Sequence, residues 1–455
     1  MKKFAALCAL ASSLSLATTS YSAFAQNFSE VKPSPAQVAW QDLEIGVIFH
    51  FGPNTFLNQE WGTGKDDPKV FNPTDLNTDQ WMEAVKTAGV KYVVMVAKHH
   101  DGFTLFPSEQ TNYGVKSSPW MGGKGDLVRM ASDSAKANGL KFGVYLSPWD
   151  RHEPKYSDPV AYDKYYLAML DELSQNYGQL TEFWLDGAGS GGRKYDFETI
   201  VRELRTYQPN AMVFADVALF QYADLRWVGT EAGDIPYENW NVIDRAGYLR
   251  WRPVEADTPL RKLHWFWHPN DEASLKSVDE LVDTYNKTVG RGGQLMLGIA
   301  PDRTGRVPEV DVARLKEFGD AIKLLYGHNL IAEEHARPAQ GNEAALDNDP
   351  DTLWSAPIGS HKATIEVTFP KPVTFDRALT MEWLNDGQHV QKYAIEVFNH
   401  GAWKRVTEAE AIGHKKIDIF PPVTAQRVRL NLLSTSSEAH IREFQLFNDT
   451  NVKLP

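Results

Sequence analysis

The sequence predicts two units: an irregular (β/α)8, TIM-like barrel of the α/β class, followed by an antiparallel β-sandwich. Three observations carry this. Apolar, strand-like runs recur eight times, at 44–52, 91–102, 141–149, 181–187, 211–217, 225–233, 262–268 and 292–301. Most are continuous rather than alternating, as parallel strands buried on both faces require. Helix-period segments separate several of them, which is the pattern of a closed parallel barrel. Beyond about residue 330 the apolar period falls to two, the pattern of short antiparallel strands. At 455 residues the chain is too long for one ordinary domain.

Taken in order, residues 1–25 read as a secretory leader. Lys2 and Lys3 form a basic start, an apolar stretch runs from Phe4 to Leu16, and Ala23-Phe24-Ala25 offers a small-x-small cleavage pattern before Gln26. That stretch is too short to span a bilayer, so export to the periplasm or medium is expected, with no membrane span. The barrel is assigned to 26–330. In the helix predicted at 79–88, Trp81, Ala84, Val85 and Ala88 share a face. The helix at 127–137 carries Leu127, Met130, Ala131 and Ala135 and is closed by Gly139. A longer one at 158–177 begins near Pro159 and ends before Gly178. Helices at 197–207, 274–289 and 310–326 complete the set. The interval from Val217 to Leu225 is too short for a crossover helix, so the barrel is irregular there. The sandwich is assigned to 331–455. Ile365, Val367 and Phe369 form one alternating set, Tyr393, Ile395 and Val397 a second, and Val428, Leu430 and Leu432 a third.

Composition narrows the functional classes. Cys8 is the only cysteine, and it lies in the leader. The mature chain therefore has no disulfide, no cysteine nucleophile and no cysteine–zinc site. The net charge of −12 becomes −14 once Lys2 and Lys3 are removed. Such a chain, without basic runs, is unsuited to nucleic acid. Its 14 tryptophans suit stacking on sugar rings, although many will be core.

Active sites of such barrels lie at the C-terminal strand tips. Those tips present His50; His99, His100 and Asp101; Tyr145, Trp149 and Asp150; Asp186; Asp216; Glu231; and Trp265, Trp267 and His268. Acids, imidazoles and aromatic rings on one rim suit glycoside hydrolysis, where two carboxylates break the bond. Asp186 and Glu231 are the best pair, on strands two apart; Asp216 and Asp150 compete with them. Adjacent histidines on a strand point to opposite faces and rarely share one ion, so no metal is assigned to His99 and His100. The Val289-Gly290-Arg291-Gly292-Gly293 run lacks the context of a phosphate loop and is expected to turn the chain into the last strand.

Across roughly residues 35–325 the chain resembles the α-L-fucosidases of glycoside hydrolase family 29. The motifs in order are Phe49-His50-Phe51-Gly52-Pro53-Asn54-Thr55-Phe56, Glu60-Trp61-Gly62, Ala97-Lys98-His99-His100-Asp101-Gly102-Phe103, Gly143-Val144-Tyr145-Leu146-Ser147-Pro148-Trp149, Phe183-Trp184-Leu185-Asp186-Gly187 and the glycine run at 289–293. The resemblance implies a retaining exo-α-L-fucosidase with Asp186 as nucleophile and no required cofactor. The stretch from Trp227 to Gly233 is similar to the acid/base segment of the subgroup that cuts α-1,3 and α-1,4 branches, which implies Glu231 as acid/base. Many relatives carry Asn at the place of Thr230. His50, Glu60, Trp61, His99, His100 and Tyr145 match positions lining the fucose pocket, with Trp265 or Trp267 on the sugar's methyl side. The alternatives are a broader enzyme that also cuts α-1,2 linkages and an inactive sugar-binding protein. With its run Leu346-Asp347-Asn348-Asp349-Pro350-Asp351-Thr352-Leu353-Trp354, the C-terminal unit resembles a discoidin-like module of carbohydrate-binding family 32, expected either to bind sugar or only to buttress the barrel. The acidic run Asp347-Asn348-Asp349-Pro350-Asp351 in it implies a structural calcium. Fucosylated oligosaccharides or glycoconjugates are the expected partners, and the oligomeric state is left open.

Overall fold

In the computed structural model, the structure describes residues 30–215, 222–242, 249–449 and 452–454. The predicted leader and Asp216 lie outside these residues. Eight parallel strands make the first unit: β1 (Ile45–Phe49), β2 (Tyr92–Lys98), β3 (Lys141–Leu146), β4 (Glu182–Leu185), β5 (Met212–Ala215), β6 (Arg226–Trp227), β7 (Val254–Pro259) and β8 (Gln294–Ile299). Their order is β5-β4-β3-β2-β1-β8-β7-β6. The circle nearly closes between β5 and β6, where the Asp224 and Leu225 N–H groups both donate to Val213 O at 2.9 and 3.3 Å. The Asp224 carboxylate accepts the Val213 N–H at 2.8 Å.

Strand parity sorts the side chains into two cores. Ile48, Val94, Val96, Tyr145, Trp184, Phe214 and Met296 fill the barrel interior. Val47, Phe49, Val93, Met95, Val144, Phe183, Leu185 and Leu297 face the surrounding helices. Those helices begin at residues that satisfy free backbone N–H groups. Asn77 caps Thr78–Thr87, Asp126 caps Leu127–Ala137, and Ser277 with Glu280 forms a capping box on Val278–Lys287. Gly139 follows the second of these at φ 72°, the left-handed conformation its place requires.

Seven of the eight predicted strands lie where expected; the seventh does not. Residues 262–268 form a loop, and the strand is β7, Val-Glu-Ala-Asp-Thr-Pro. Its two carboxylates disguise it. Both face inward, and Glu255 reaches Trp184 Nε1 at 2.7 Å and Tyr92 OH at 3.0 Å across the barrel. β6 is reduced to two residues, in keeping with the irregularity expected between strands five and six.

The second unit is a seven-stranded antiparallel sheet of β9 (Arg337–Pro338), β10 (Trp354–Ser355), β11 (Ala363–Glu382), β12 (Val390–Asn399), β13 (Ala402–Ala409), β14 (Lys416–Thr435) and β15 (His440–Phe447). The order is β10-β15-β11-β14-β12-β13, with β9 on β11. Register shifts at Thr368/Val373 and Phe375/Arg377 interrupt the long β11–β14 ladder; such irregularities bend strands. Ile365, Val367, Tyr393, Ile395, Val428, Leu430 and Leu432 form its core, as the period-two pattern predicts. The glycine run at 289–293 makes the turn into β8, with Gly292 at φ 75°, and also meets this unit. The Ile417 N–H donates to Gly290 O at 2.8 Å.

Candidate active site

The polar rim closes around one pocket, lined by Ile48, His50, Glu60, Trp61, His99, His100, Tyr145, Trp184, Asp186, Ala188, Phe214, Trp227, Glu231, Asp257 and Trp265. Parity explains several of these. Ile48 faces inward, and so does His50, two residues on; Trp184 and Asp186 repeat the relation on the fourth strand. On β2 a register shift between Val96 and Lys98 re-aims the chain. Lys98 then turns away to Asp150 at 3.0 Å and lies near Tyr162 and the Tyr166 ring. His99 and His100 both reach the pocket because the chain turns there; their rings are 4.1 Å apart.

Asp186 is held from both oxygens. Tyr145 OH donates to Oδ2 at 2.9 Å and the Ala188 N–H to Oδ1 at 2.8 Å. Burial pushes its carboxyl up, and these two donors pull it back towards the anion. Glu231 stands at the mouth, exposed. Its carboxyl is also raised, first by desolvation and then by the negative charges of Asp186 and Glu60, while a hydrogen bond with the Trp265 side chain opposes the shift. Glu60 braces the loop after β7: it accepts the Trp265 N–H at 2.9 Å and the Phe266 N–H at 3.3 Å, and meets His268 Nε2 at 2.6 Å.

The three pocket histidines are neutral at ordinary pH. Burial and the neighbouring His100 hold His50 down to about 3. Burial and the Lys98 charge hold His100 at about 3, and His99 lies well below its usual value. His100 Nδ1 pairs with Ser147 Oγ at 2.7 Å. Nδ1 of His50 and of His99 are buried without a hydrogen-bond partner among the described residues. Orphan polar atoms of this kind are costly.

The predicted residues divide clearly. His50, Glu60, Trp61, His99, His100, Tyr145, Asp186, Glu231 and Trp265 meet in the pocket. Trp267 does not: the turn after Trp265 sends it outward, where Arg303 sits over its ring at 5.6 Å. Asp150, a competitor for catalysis, is paired with Lys98 and accepts the N–H groups of His152 and Glu153, a structural role. Sequence reasoning missed Asp257, hidden in the misread strand. Trp227 Nε1 donates to its Oδ1 at 2.6 Å, and burial pushes its carboxyl well up from the ordinary value. The only signal was the alternation of Glu255 and Asp257. No group of three or more potential metal ligands gathers among the described residues.

The model of the α-L-fucosidase family matches residues 9–325. The chain belongs to the α-L-fucosidases of glycoside hydrolase family 29. The model of the F5/8 type C domain matches 330–444, which is the sheet unit. Alpha-L-fucosidase 1 of Arabidopsis thaliana is 34% identical over 426 residues, covering 87% of this chain and 83% of that protein. Among solved structures, a family 29 member from an unknown rumen bacterium superposes with a TM-score of 0.81 at 33% identity, covering 93% of this chain and 78% of that one. A Ruminococcus gnavus family 29 fucosidase in complex with fucose gives a TM-score of 0.84 at 27% identity, covering 93% and 96%. The enzyme is thus a glycoside hydrolase with α-L-fucosidase activity.

Proposed function

We propose that the enzyme removes terminal L-fucose from fucosylated oligosaccharides or glycoconjugates with retention, Asp186 as nucleophile and Glu231 as acid/base. One observation carries this: a carboxylate oriented from both oxygens shares a pocket with a second carboxyl whose proton affinity that first charge raises. In such a mechanism Asp186 attacks the anomeric carbon while Glu231 protonates the leaving oxygen. Glu231 then deprotonates the water that releases the sugar. The nucleophile carries its own negative charge, so the chemistry calls on no cofactor. The fucose in the R. gnavus complex supports a fucosyl substrate. The orphan nitrogens of His50 and His99 suit its hydroxyls, and Trp184, Phe214 and Trp265 offer apolar surface for its methyl group.

Selectivity for α-1,3 and α-1,4 branches is part of the same proposal and is supported by the segment from Trp227 to Gly233. Export is supported by the composition of residues 1–25. A structural calcium in the acidic run is supported by Glu443, which lies beside Asp347 and whose buried Oε1 has no hydrogen-bond partner among the described residues. It would draw on backbone carbonyls as well, since Asp347 and Asp349 already accept backbone N–H groups within the run.

Asp186→Gly should abolish turnover in a folded protein, and proton NMR should show α-fucose as the first-formed product. Initial β-fucose would overturn retention, and substantial residual turnover would overturn the nucleophile. Side-by-side rates on α-1,2, α-1,3 and α-1,4 substrates test the linkage.

A further inference from the structure

Glu231 opens a stretch, 231–242, with no helix or strand of its own. Five residues, 232–236, separate it from Tyr237, where the grip of the sheet unit begins; among them the Ile235 N–H donates to Lys287 O at 2.9 Å and Arg291 holds Asp234. Gly233, at φ 65°, lies flat against Thr258 and Thr284; a Cβ there would meet their methyl groups at 2.9 Å. Beyond it, Glu238 accepts the N–H groups of Glu410 and Ala411, each at 3.0 Å. Lys416 donates to Tyr237 O, lies 3.8 Å from Glu238 Oε2, and sits 3.5 Å from the centre of the Tyr237 ring. Tyr237 OH donates to Asp418 Oδ1 at 2.5 Å, and Tyr393 OH holds the other oxygen of Asp418 at 2.7 Å. Gln388 accepts from Asn241 N and Nδ2 at 3.1 and 3.0 Å and donates to Asn239 O at 3.3 Å.

Lys416 is 1% exposed and Asp418 is fully buried. Buried charged groups with several partners fix geometry more firmly than surface pairs do. We propose that the sheet unit is a positioning element for the acid/base. Lys416, Asp418 and Gln388 fix 237–241, and that short tether sets where Glu231 stands at the pocket mouth. This rests on Glu231 being the acid/base. Tyr237, Lys416 and Asp418 are positioning residues: they act through Glu231 and none of them lines the pocket.

The two roles separate by leaving group. Protonation by Glu231 matters for a sugar alkoxide and little for an activated phenolate, which departs unaided. The test compares full-length Tyr237→Phe and Lys416→Met with Glu231→Ala. The readout is kcat/KM on a fucosylated oligosaccharide and on a dinitrophenyl fucoside, with thermal melting alongside. Tyr237→Phe keeps the ring and loses only the hydroxyl, so it keeps the test open if Lys416→Met fails to fold. The expected result is a loss of about tenfold or more on the oligosaccharide and less than about threefold on the aryl fucoside. Equal losses on both substrates, or no loss on either, overturn the positioning role. If Glu231→Ala shows the leaving-group split and Tyr237→Phe does not, only the positioning inference falls. If Glu231→Ala shows no split, the acid/base assignment falls and the inference with it.

Discussion

Tyr145→Phe isolates what holds Asp186 ready. The Tyr145 side chain is fully buried, stacked on Trp184 at 5.6 Å, and its hydroxyl donates to Asp186 Oδ2, from which His100 Nε2 lies 3.5 Å away. The substitution keeps the ring and removes the 2.9 Å hydrogen bond. A hydrogen bond to a charged group is worth about 1.5–3 kcal/mol. Each 1.36 kcal/mol is a factor of about ten, so ionising Asp186 becomes roughly 10–150-fold harder. Burial already pushes this carboxyl up, and losing a donor to the anion pushes it further. If Asp186 is the nucleophile, as proposed above, its active form is the carboxylate, and the acid limb of the kcat/KM profile moves to higher pH. The assay is the pH dependence of kcat/KM on an aryl fucoside, whose leaving group needs little help from the proposed acid/base Glu231. The loss should approach roughly 10–150-fold on the acid limb and shrink as pH rises above it. A loss that is constant across pH would place the role of Tyr145 in the transition state. No loss at all would refute the claim that its hydroxyl stabilises the nucleophile's charge.

Three further outcomes follow from the same contacts. Lys98→Met strands the buried Asp150 carboxylate and should cost about 3–5 kcal/mol in urea unfolding; an unchanged midpoint would refute a buried ion pair. Burial raises Asp101 to about 7, above its ordinary value, so the folded state binds that proton more tightly. Its stabilisation is full below the ordinary carboxylate range and is lost as pH rises through about 7. Asp101→Asn should therefore gain thermal stability relative to the parent between pH 4 and pH 8, and a pH-independent difference would count against it. Trp265→Ala should lower kcat/KM by about tenfold or more, because the ring lines the pocket that Glu231 shares. Trp267→Ala, whose ring faces Arg303, should change it by less than about threefold; equal losses would return Trp267 to the site.

Much of this enzyme was legible along the chain because the signals are local. Continuous apolar runs mark strands buried on both faces, and helix caps and glycines mark their ends. Parity along a strand sets which residues share the lumen, so Trp184 and Asp186 go together without knowledge of any neighbour. The motif series from Phe49 to Gly293 added the family and most of the pocket. What sequence could not order were contacts between segments far apart in the chain. β7 shows no apolar run because its inward positions are Glu255 and Asp257, which find their partners on other strands, at Tyr92, Trp184 and Trp227. Asp150 and Asp186 are both acids in strand-tip positions. Only the packed barrel gives one to Lys98 and leaves the other facing the pocket. Trp265 and Trp267 are two residues apart, and a loop anchored by Glu60 sends one inward and the other out. Local periodicity therefore determined the barrel and its nucleophile candidate. Long-range hydrogen bonding and charge pairing, which exist only once the chain is folded, decided which of the remaining polar residues share its pocket.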